Sequence, residues 1–198
     1  MKKVGLFFGT FNPIHVGHVI IANHLAENSD LDAVWLVVTP HNPFKKKSTL
    51  LADNHRFQMV EIAIEKYPKL KASKIEFGLP QPNYTVNTLI HLVEKYPNHH
   101  FNLIMGKDNL QSFHKWKNYE VILDNHDIYV YPRVYKENSD KHREETELIN
   151  HKKVHVIEAP IIELSSTFIR KNIKEKKNVQ PMLTCEVWNY LDEMNFYK

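Results

Sequence analysis

The strongest constraint on the fold is a regular alternation of short apolar runs with segments of helical period. Six runs are rich in branched and aromatic residues and are short enough to be buried strands. We place them at residues 4–8, 33–38, 70–77, 101–105, 127–131 and 154–157. Between them, apolar residues recur at spacings of three and four, as on a helix that buries one face. This alternation predicts an α/β fold, a doubly wound parallel sheet with right-handed crossovers and helices on both faces.

Helix start and stop signals divide the intervening segments. We expect Asp53 to cap a helix that runs to about Tyr67, where Pro68 ends it, and Thr85 to cap the next helix. A last helix over about 184–194 adds a small helical C-terminal part. Residues 133–150 are charged and weakly patterned, so they predict an exposed excursion between two strands.

Length and composition limit the class of protein. A chain of 198 residues buries one sizeable core, so we expect a single domain over 1–198. The net charge of +3 suits small polyanionic substrates, and no basic stripe interleaved with aromatic residues predicts a nucleic-acid partner. No run approaches the roughly 20 apolar residues of a membrane span. The lone Cys185 cannot form an internal disulfide, which favours the cytoplasm, while the oligomeric state stays open.

The unusual segments of the chain fall on one edge of the predicted sheet. In doubly wound sheets, ligands bind beyond the carboxyl ends of the strands. The loops that follow five of the strands contain most of the glycine, proline and lysine clusters. These loops cover residues 9–16, 39–47, 78–84, 106–116 and 160–165. Their clustering predicts one large site.

The loop after the first strand has the chemistry of an anion site. Gly9 lets the backbone approach a ligand, and the unpaired N–H groups of the following helix favour negative charge. His15 and His18 lie three residues apart at the helix start, so both rings lie on one face and can point into one site. The residues alone also allow an incidental pair, or half of a zinc site that has no third ligand at a diagnostic spacing.

Several enzyme classes are excluded by missing motifs. The first strand is not followed by the G-x-G-x-x-G of a dehydrogenase, and neither a Walker loop nor a serine or cysteine nucleophile elbow is present. A second anion element is the segment of Ser165, Ser166 and Thr167 with Arg170. It offers helix N–H groups and a guanidinium fork to a phosphate, or it is an ordinary capped helix.

Both elements resemble motifs of one superfamily. The first loop resembles the T-x-F-x-P-x-H-x-G-H signature of the adenylyl- and cytidylyltransferases, and residues 165–170 resemble their second motif, S-S-T-x-I-R. The resemblance implies a Rossmann-like nucleotidyltransferase fold in which His15, His18 and Arg170 are catalytic. The implied ATP-binding residues are Gly9, Thr10, Phe11, His15, His18, Gly106, Asp108, Ser165, Ser166, Thr167 and Arg170.

Further segments resemble bacterial nicotinate-nucleotide adenylyltransferases. Residues 82–89 are similar to their P-x-Y-T-x-x-T-L segment, and Gly106-x-Asp108 with Trp116 matches their G-x-D and downstream tryptophan. The resemblance implies ATP and nicotinate mononucleotide as substrates, with Mg²⁺ accompanying ATP and no metal held by the protein itself. The implied acceptor-binding residues are Lys45, Tyr84, Thr85 and Trp116.

Physical chemistry agrees with this acceptor. A helix N-terminus at Tyr84 and Thr85 favours the nicotinate carboxylate, and Trp116 can stack on the pyridine ring, although a core position is its alternative. A phosphate monoester is largely ionised at neutral pH, with a second pKa of about 6, so no general base is needed. Phe8, Asn12, Asn87 and Lys107 depart from the family pattern. The rival hypotheses are a transferase for nicotinamide mononucleotide or phosphopantetheine, a nucleotide-binding regulator, and a flavodoxin-like carrier.

Overall fold

The computed structural model describes residues 1–40, 50–132 and 146–198. Within these ranges six strands form one sheet with the order β3-β2-β1-β4-β5-β6, and every neighbouring pair is parallel. The strands are β1 (Lys2–Gly9), β2 (Ala33–Val38), β3 (Leu70–Ser73), β4 (His99–Gly106), β5 (Ile128–Tyr131) and β6 (Val154–Val156). The predicted doubly wound sheet is confirmed. Its strand order reverses between β1 and β4, where such sheets bind ligands.

Seven α-helices of the described residues cover the two faces of the sheet. They are α1 (Val16–Asn28), α2 (Asp53–Ile64), α3 (Thr85–Lys95), α4 (Lys107–Gln111), α5 (Tyr119–Asn125), α6 (Ser166–Lys174) and α7 (Cys185–Glu193). Strand β2 shows how the layers are built, because all six of its residues are buried. Val34, Leu36 and Val38 belong to the apolar cluster that also contains residues of α1, α2, α6 and α7. Ala33, Trp35 and Val37 belong to the cluster that contains residues of α3, α4 and α5. This period of two buries both faces of the strand.

Three predicted boundaries were wrong. Strand β3 ends at Ser73, and residues predicted as its continuation form the 3-10 helix Ile75–Gly78, which turns the Glu76 side chain into the interior. Asp53 is the first residue of α2, and Ala52 holds the cap position. The Asp53 carboxylate instead forms an ion pair with Arg56, one turn later. Thr85 likewise begins α3, and Tyr84 holds the cap position without a side-chain cap bond.

Two further observations concern segments outside the main layers. Of the predicted excursion, residues 133–145 lie outside the described part of the chain. Residues 146–150 contain the short 3-10 helix Glu147–Asn150, in which the Thr146 hydroxyl accepts a hydrogen bond from the Leu148 N–H. Among the residues that the structure describes, no helix has both the length and the apolar character to cross a membrane.

Candidate active site

The loop after β1 forms the floor of the candidate site. Gly9 ends β1, and its carbonyl accepts a hydrogen bond from the Thr39 N–H at 2.9 Å, so the ends of β1 and β2 are tied together. His15 holds the cap position of α1 with extended backbone and is buried. Because Gly17 and His18 lie in the first turn of α1, the loop delivers both histidines to the positive end of a helix.

A backbone hydrogen bond orients the His18 imidazole. The backbone N–H of His15 donates to Nδ1 of His18 at 3.3 Å, and the two rings stack with centroids 3.7 Å apart. A ring nitrogen that accepts a hydrogen bond carries no proton, so the neutral ring carries its proton on Nε2. His18 is therefore held in the tautomer that can donate from Nε2 to an anion.

Aromatic rings hold His18 on its other sides. Phe7 and Phe11 contact the imidazole edge-on, with centroid distances of 6.0 and 5.1 Å. Phe11 is buried in the left-handed region, at φ 43°, which places its ring over Gly9. A Cβ at position 9 would lie only 2.8 Å from the Phe11 ring, so glycine is required there by this packing.

Replacing Gly9 with alanine is expected to lower the free energy of unfolding by about 1–3 kcal/mol, because overpacking displaces the Phe11 ring. The ring contacts His18, so turnover should fall as well. Urea denaturation and pyrophosphate release measure the two effects. Gly78→Ala is the matched control, since a Cβ there meets nothing within 4 Å. Equal stability of the two variants would contradict the packing argument.

The second sequence motif, at the start of α6, meets the first loop at the same edge of the sheet. Ser165 caps α6, and its hydroxyl accepts a hydrogen bond from the Phe168 N–H at 3.2 Å. The Ser166 hydroxyl donates to the Pro13 carbonyl at 2.8 Å, and Nη1 of Arg170 donates to the Asn12 carbonyl at 2.7 Å. These bonds join segments more than 150 residues apart in sequence.

Thr167 and Arg170 complete the α6 side of the candidate site. Nη2 of Arg170 donates to the Thr167 hydroxyl at 3.3 Å, across one turn of the helix. The guanidinium has five N–H donors in a fixed fork, and these two bonds orient it. The structure thus brings together His15, His18, Ser165, Ser166, Thr167 and Arg170 around the loop that contains Thr10 and Phe11.

Arg56 is a structural element of the site that sequence reasoning missed. Its side chain is fully buried and donates to the carbonyls of Thr10 at 2.6 Å and Thr39 at 2.9 Å. Further donations reach the carbonyls of Leu51 and Pro40 and the carboxylate of its ion-pair partner in α2. One guanidinium thus ties the loops after β1 and β2 to the start of α2. The sequence does contain a signal that this side chain is buried. Arg56 precedes Met59, Val60 and Ala63 by three, four and seven residues, so it lies on the buried face of α2.

The C-terminal tail supports the loop from behind. Oδ1 of Asn12 accepts hydrogen bonds from the Tyr197 hydroxyl at 2.6 Å and from the Leu51 N–H at 3.2 Å. Burial raises the pKa of Tyr197, although the positive charges of Arg170 and Arg56 act in the opposite direction. The Tyr197 hydroxyl therefore remains a donor to the loop at neutral pH.

The predicted acceptor segments lie at the start of α3 and beyond α4. Nζ of Lys117 lies 4.5 Å from the centroid of the Tyr84 ring, which places the loop containing Trp116 next to the cap of α3. Trp116 is half-buried and packs edge-on against Phe113, with centroids 5.3 Å apart. Thr85 is the first residue of α3. Lys45 lies outside the described residues.

Gly106 and Asp108 occupy the junction of β4 and α4. Gly106 is both the last residue of β4 and the cap of α4, and Asp108 follows in the first turn. This junction lies beside the end of β1 in the sheet, since β1 and β4 are neighbours. In the described ranges, no three His, Cys, Asp or Glu side chains are arranged to hold a metal ion.

Comparison with known proteins identifies relatives along the whole chain. A family model described as cytidylyltransferase-like matches residues 6–172. The chain is 66% identical over 196 residues to the probable nicotinate-nucleotide adenylyltransferase of Flavobacterium psychrophilum. This match covers 99% of each protein. It is 64% identical over 197 residues to the protein of the same name from Christiangramia forsetii, covering 100% of this chain and 99% of that protein.

A solved structure shares the fold at low sequence identity. It is Plasmodium falciparum nicotinic acid mononucleotide adenylyltransferase complexed with NaAD, with a TM-score of 0.79 and 19% identity. The match covers 100% of this chain and 98% of that one. Together with the near full-length sequence similarity, the two converging phosphate motifs lead to one conclusion: this chain belongs to the nicotinate-nucleotide adenylyltransferase family of the cytidylyltransferase-like nucleotidyltransferases.

Proposed function

We infer that this chain transfers the adenylyl group of ATP to nicotinate mononucleotide, yielding nicotinate adenine dinucleotide and pyrophosphate in NAD biosynthesis. The observation that carries the inference is the union of two phosphate motifs, in which Ser166 and Arg170 on α6 bind the carbonyls of the loop that presents His18. The curated relatives carry the corresponding name over nearly their whole length.

The loop and α6 provide the ATP half of the site. His18, with its proton on Nε2, is assigned to the α-phosphate, and the stacked His15 to the neighbouring phosphate oxygens. Ser165, Ser166, Thr167 and Arg170 are assigned to the β- and γ-phosphates, where the helix N-terminus and guanidinium favour negative charge. Gly106 and Asp108 are assigned to the adenosine.

The reaction is an in-line displacement that needs no base from the protein. An ionised phosphate oxygen of nicotinate mononucleotide forms a bond to the α-phosphorus, and the bond from that phosphorus to the pyrophosphate oxygen breaks. Charge increases on the α-phosphate oxygens and on the departing pyrophosphate. Donors held in place by protein hydrogen bonds stabilise that charge without reorganising, and this is the contribution we assign to His18 and Arg170.

The start of α3 and the adjacent loop provide the acceptor half. The N–H groups at Tyr84 and Thr85 are assigned to the nicotinate carboxylate, which a helix N-terminus prefers to a neutral amide. Trp116 is assigned to stack on the pyridine ring, and Lys45 to phosphate charge. Lys117 over the Tyr84 ring adds positive charge at this end of the site.

ATP is expected to enter as its Mg²⁺ complex. Mg²⁺ in such sites is held by phosphate oxygens and retains several waters, so it needs no cage of protein carboxylates. The donors around His18 and Arg170 are N–H and hydroxyl groups, which suit the phosphates of such a complex. Bound this way, the metal neutralises part of the phosphate charge. The cytoplasm is the expected compartment, as the lone cysteine predicted.

An acceptor panel tests the proposed function. Nicotinate mononucleotide, nicotinamide mononucleotide and phosphopantetheine are each incubated with Mg²⁺ and either ATP or CTP, and pyrophosphate release is recorded. We expect nicotinate mononucleotide with ATP to give the highest kcat/KM. Release with another acceptor but not with nicotinate mononucleotide would overturn the assignment. Release with none of them would favour a nucleotide-binding regulator.

A further inference from the structure

A buried carboxyl group lies next to the start of α3. Glu76 is only 2% exposed, although its type is almost never fully buried without partners. Its Oε1 accepts a hydrogen bond from the Thr88 hydroxyl at 2.8 Å, and its backbone carbonyl accepts one from Nδ2 of Asn83 at 3.2 Å. Thr88 and Asn83 are themselves buried.

These two partners flank the residues assigned to the nicotinate carboxylate. Asn83 immediately precedes Tyr84 and Thr85, and Thr88 lies one turn into α3. The Thr88 hydroxyl also lies 3.4 Å from the Tyr84 carbonyl. Glu76 therefore holds the first turn of α3 from both sides of the two acceptor residues. No other part of the proposed mechanism uses this carboxyl.

The same carboxyl faces the ATP half of the site. The Thr39 hydroxyl lies against it, and the backbone of Thr39 binds the carbonyl of Gly9 and accepts from Arg56. Burial raises the pKa of Glu76, and hydrogen bonds from Thr88 and Thr39 only partly oppose this rise. A glutamine has the same shape and keeps an acceptor oxygen for the Thr88 hydroxyl, so it is a close substitute.

We propose that Glu76 is a positioning residue whose carboxyl sets the first turn of α3 for the acceptor, acting through Thr88. The proposal rests on the assignment of Tyr84 and Thr85 to the acceptor. A turn that shifts by a fraction of an ångström misaligns its N–H groups with a carboxylate and weakens acceptor binding. The Thr88 hydrogen bond lies on the α3 side of the carboxyl, so a change at Thr88 leaves the loops assigned to ATP in place.

The test compares KM values for the two substrates in matched variants. We expect Glu76→Ala and Thr88→Val to raise the KM for nicotinate mononucleotide by about tenfold. In Thr88→Val, which leaves the contact of the carboxyl with Thr39 intact, the KM for ATP should change by less than about twofold. Glu76→Gln and Thr88→Ser retain an acceptor and a hydroxyl, so each should restore the acceptor KM to within about threefold of wild type. If Glu76→Ala fails to fold, the Thr88 pair decides, because it alters the same hydrogen bond.

Asn102→Ala is the control for a merely structural role. Asn102 is buried and its Oδ1 accepts from the Asp127 N–H, at the opposite end of the sheet from the site. The Asn102→Ala variant should have a lower melting temperature, while the ratio of the KM for nicotinate mononucleotide to the KM for ATP should stay that of the wild type. An equal rise of both KM values in Thr88→Val would overturn the proposal. Failure of the wild-type enzyme to use nicotinate mononucleotide would instead overturn the proposed function, and the variants would then be measured with the acceptor it does use.

Discussion

Replacing His18 with alanine is expected to lower kcat by about 100-fold or more. The imidazole is held by the His15 N–H and by two aromatic rings, so its Nε2 donor needs no reorganisation when charge develops on the α-phosphate. Without it, that charge is stabilised only by the helix N-terminus and by the α6 side of the site. Pyrophosphate release at saturating substrates measures the effect.

His24→Ala is the matched control for this prediction. His24 lies on the same helix, and its Nε2 contacts the Glu158 carbonyl at 2.8 Å, away from the first turn. Its replacement should leave turnover near that of the wild type. Unchanged turnover in His18→Ala would remove His18 from the mechanism, and an equal loss in both variants would indicate a general effect on α1.

Replacing Arg56 with alanine is expected to lower the free energy of unfolding by about 3–5 kcal/mol, because a buried acceptor that loses its donor costs about 1–3 kcal/mol and several do so here. The guanidinium is fully buried, and its loss leaves the carbonyls of Thr10, Thr39, Pro40 and Leu51 without this donor. Because Thr10 and Thr39 belong to the loops at the site, the KM for ATP should rise as well. Arg56→Lys should rescue little of this stability, since a single ammonium cannot reproduce the fork. Urea denaturation measures the series.

Lys66→Ala provides the surface comparison for Arg56. Lys66 pairs with Glu186 in an exposed ion pair, and such pairs contribute little to stability. Its replacement should leave the denaturation midpoint unchanged. If Arg56→Ala were as stable as Lys66→Ala, the loops after β1 and β2 would not depend on the guanidinium.

Local patterns were sufficient for most of the fold, because the strands and helices have clear periods. The error in β3 has a tertiary cause. Ile75 and Phe77 continue the alternation of the strand, but burial of Glu76 against α3 favours a 3-10 turn instead. The order of the strands could not be predicted either. Alternating strands and helices predict a parallel sheet, but they do not indicate which strands are neighbours.

Motifs in the sequence predicted side chains of the candidate site. They did not predict the residues that support the site through hydrogen bonds to backbone or side chains distant in sequence. Arg56 and Tyr197 bind atoms of the first loop from far along the chain. The helical phase of Arg56 indicates that its side chain is buried, but no spacing in the sequence reveals which backbone atoms either residue binds. The structure also gives a role to two departures from the family pattern. Asn12 accepts a hydrogen bond from the Tyr197 hydroxyl, and Phe8 packs against the apolar cluster that contains residues of α3, α4 and α5.

We expect the acceptor to attack the α-phosphorus of ATP, a step that we assign to the loop of His18 and the start of α6. Isotopic labelling distinguishes this position from the γ-phosphorus. With nicotinate mononucleotide and Mg²⁺, label from [α-³²P]ATP should appear in nicotinate adenine dinucleotide, and label from [γ-³²P]ATP should appear in pyrophosphate. Transfer of the γ-label to the acceptor, or no transfer of the α-label, would contradict the account.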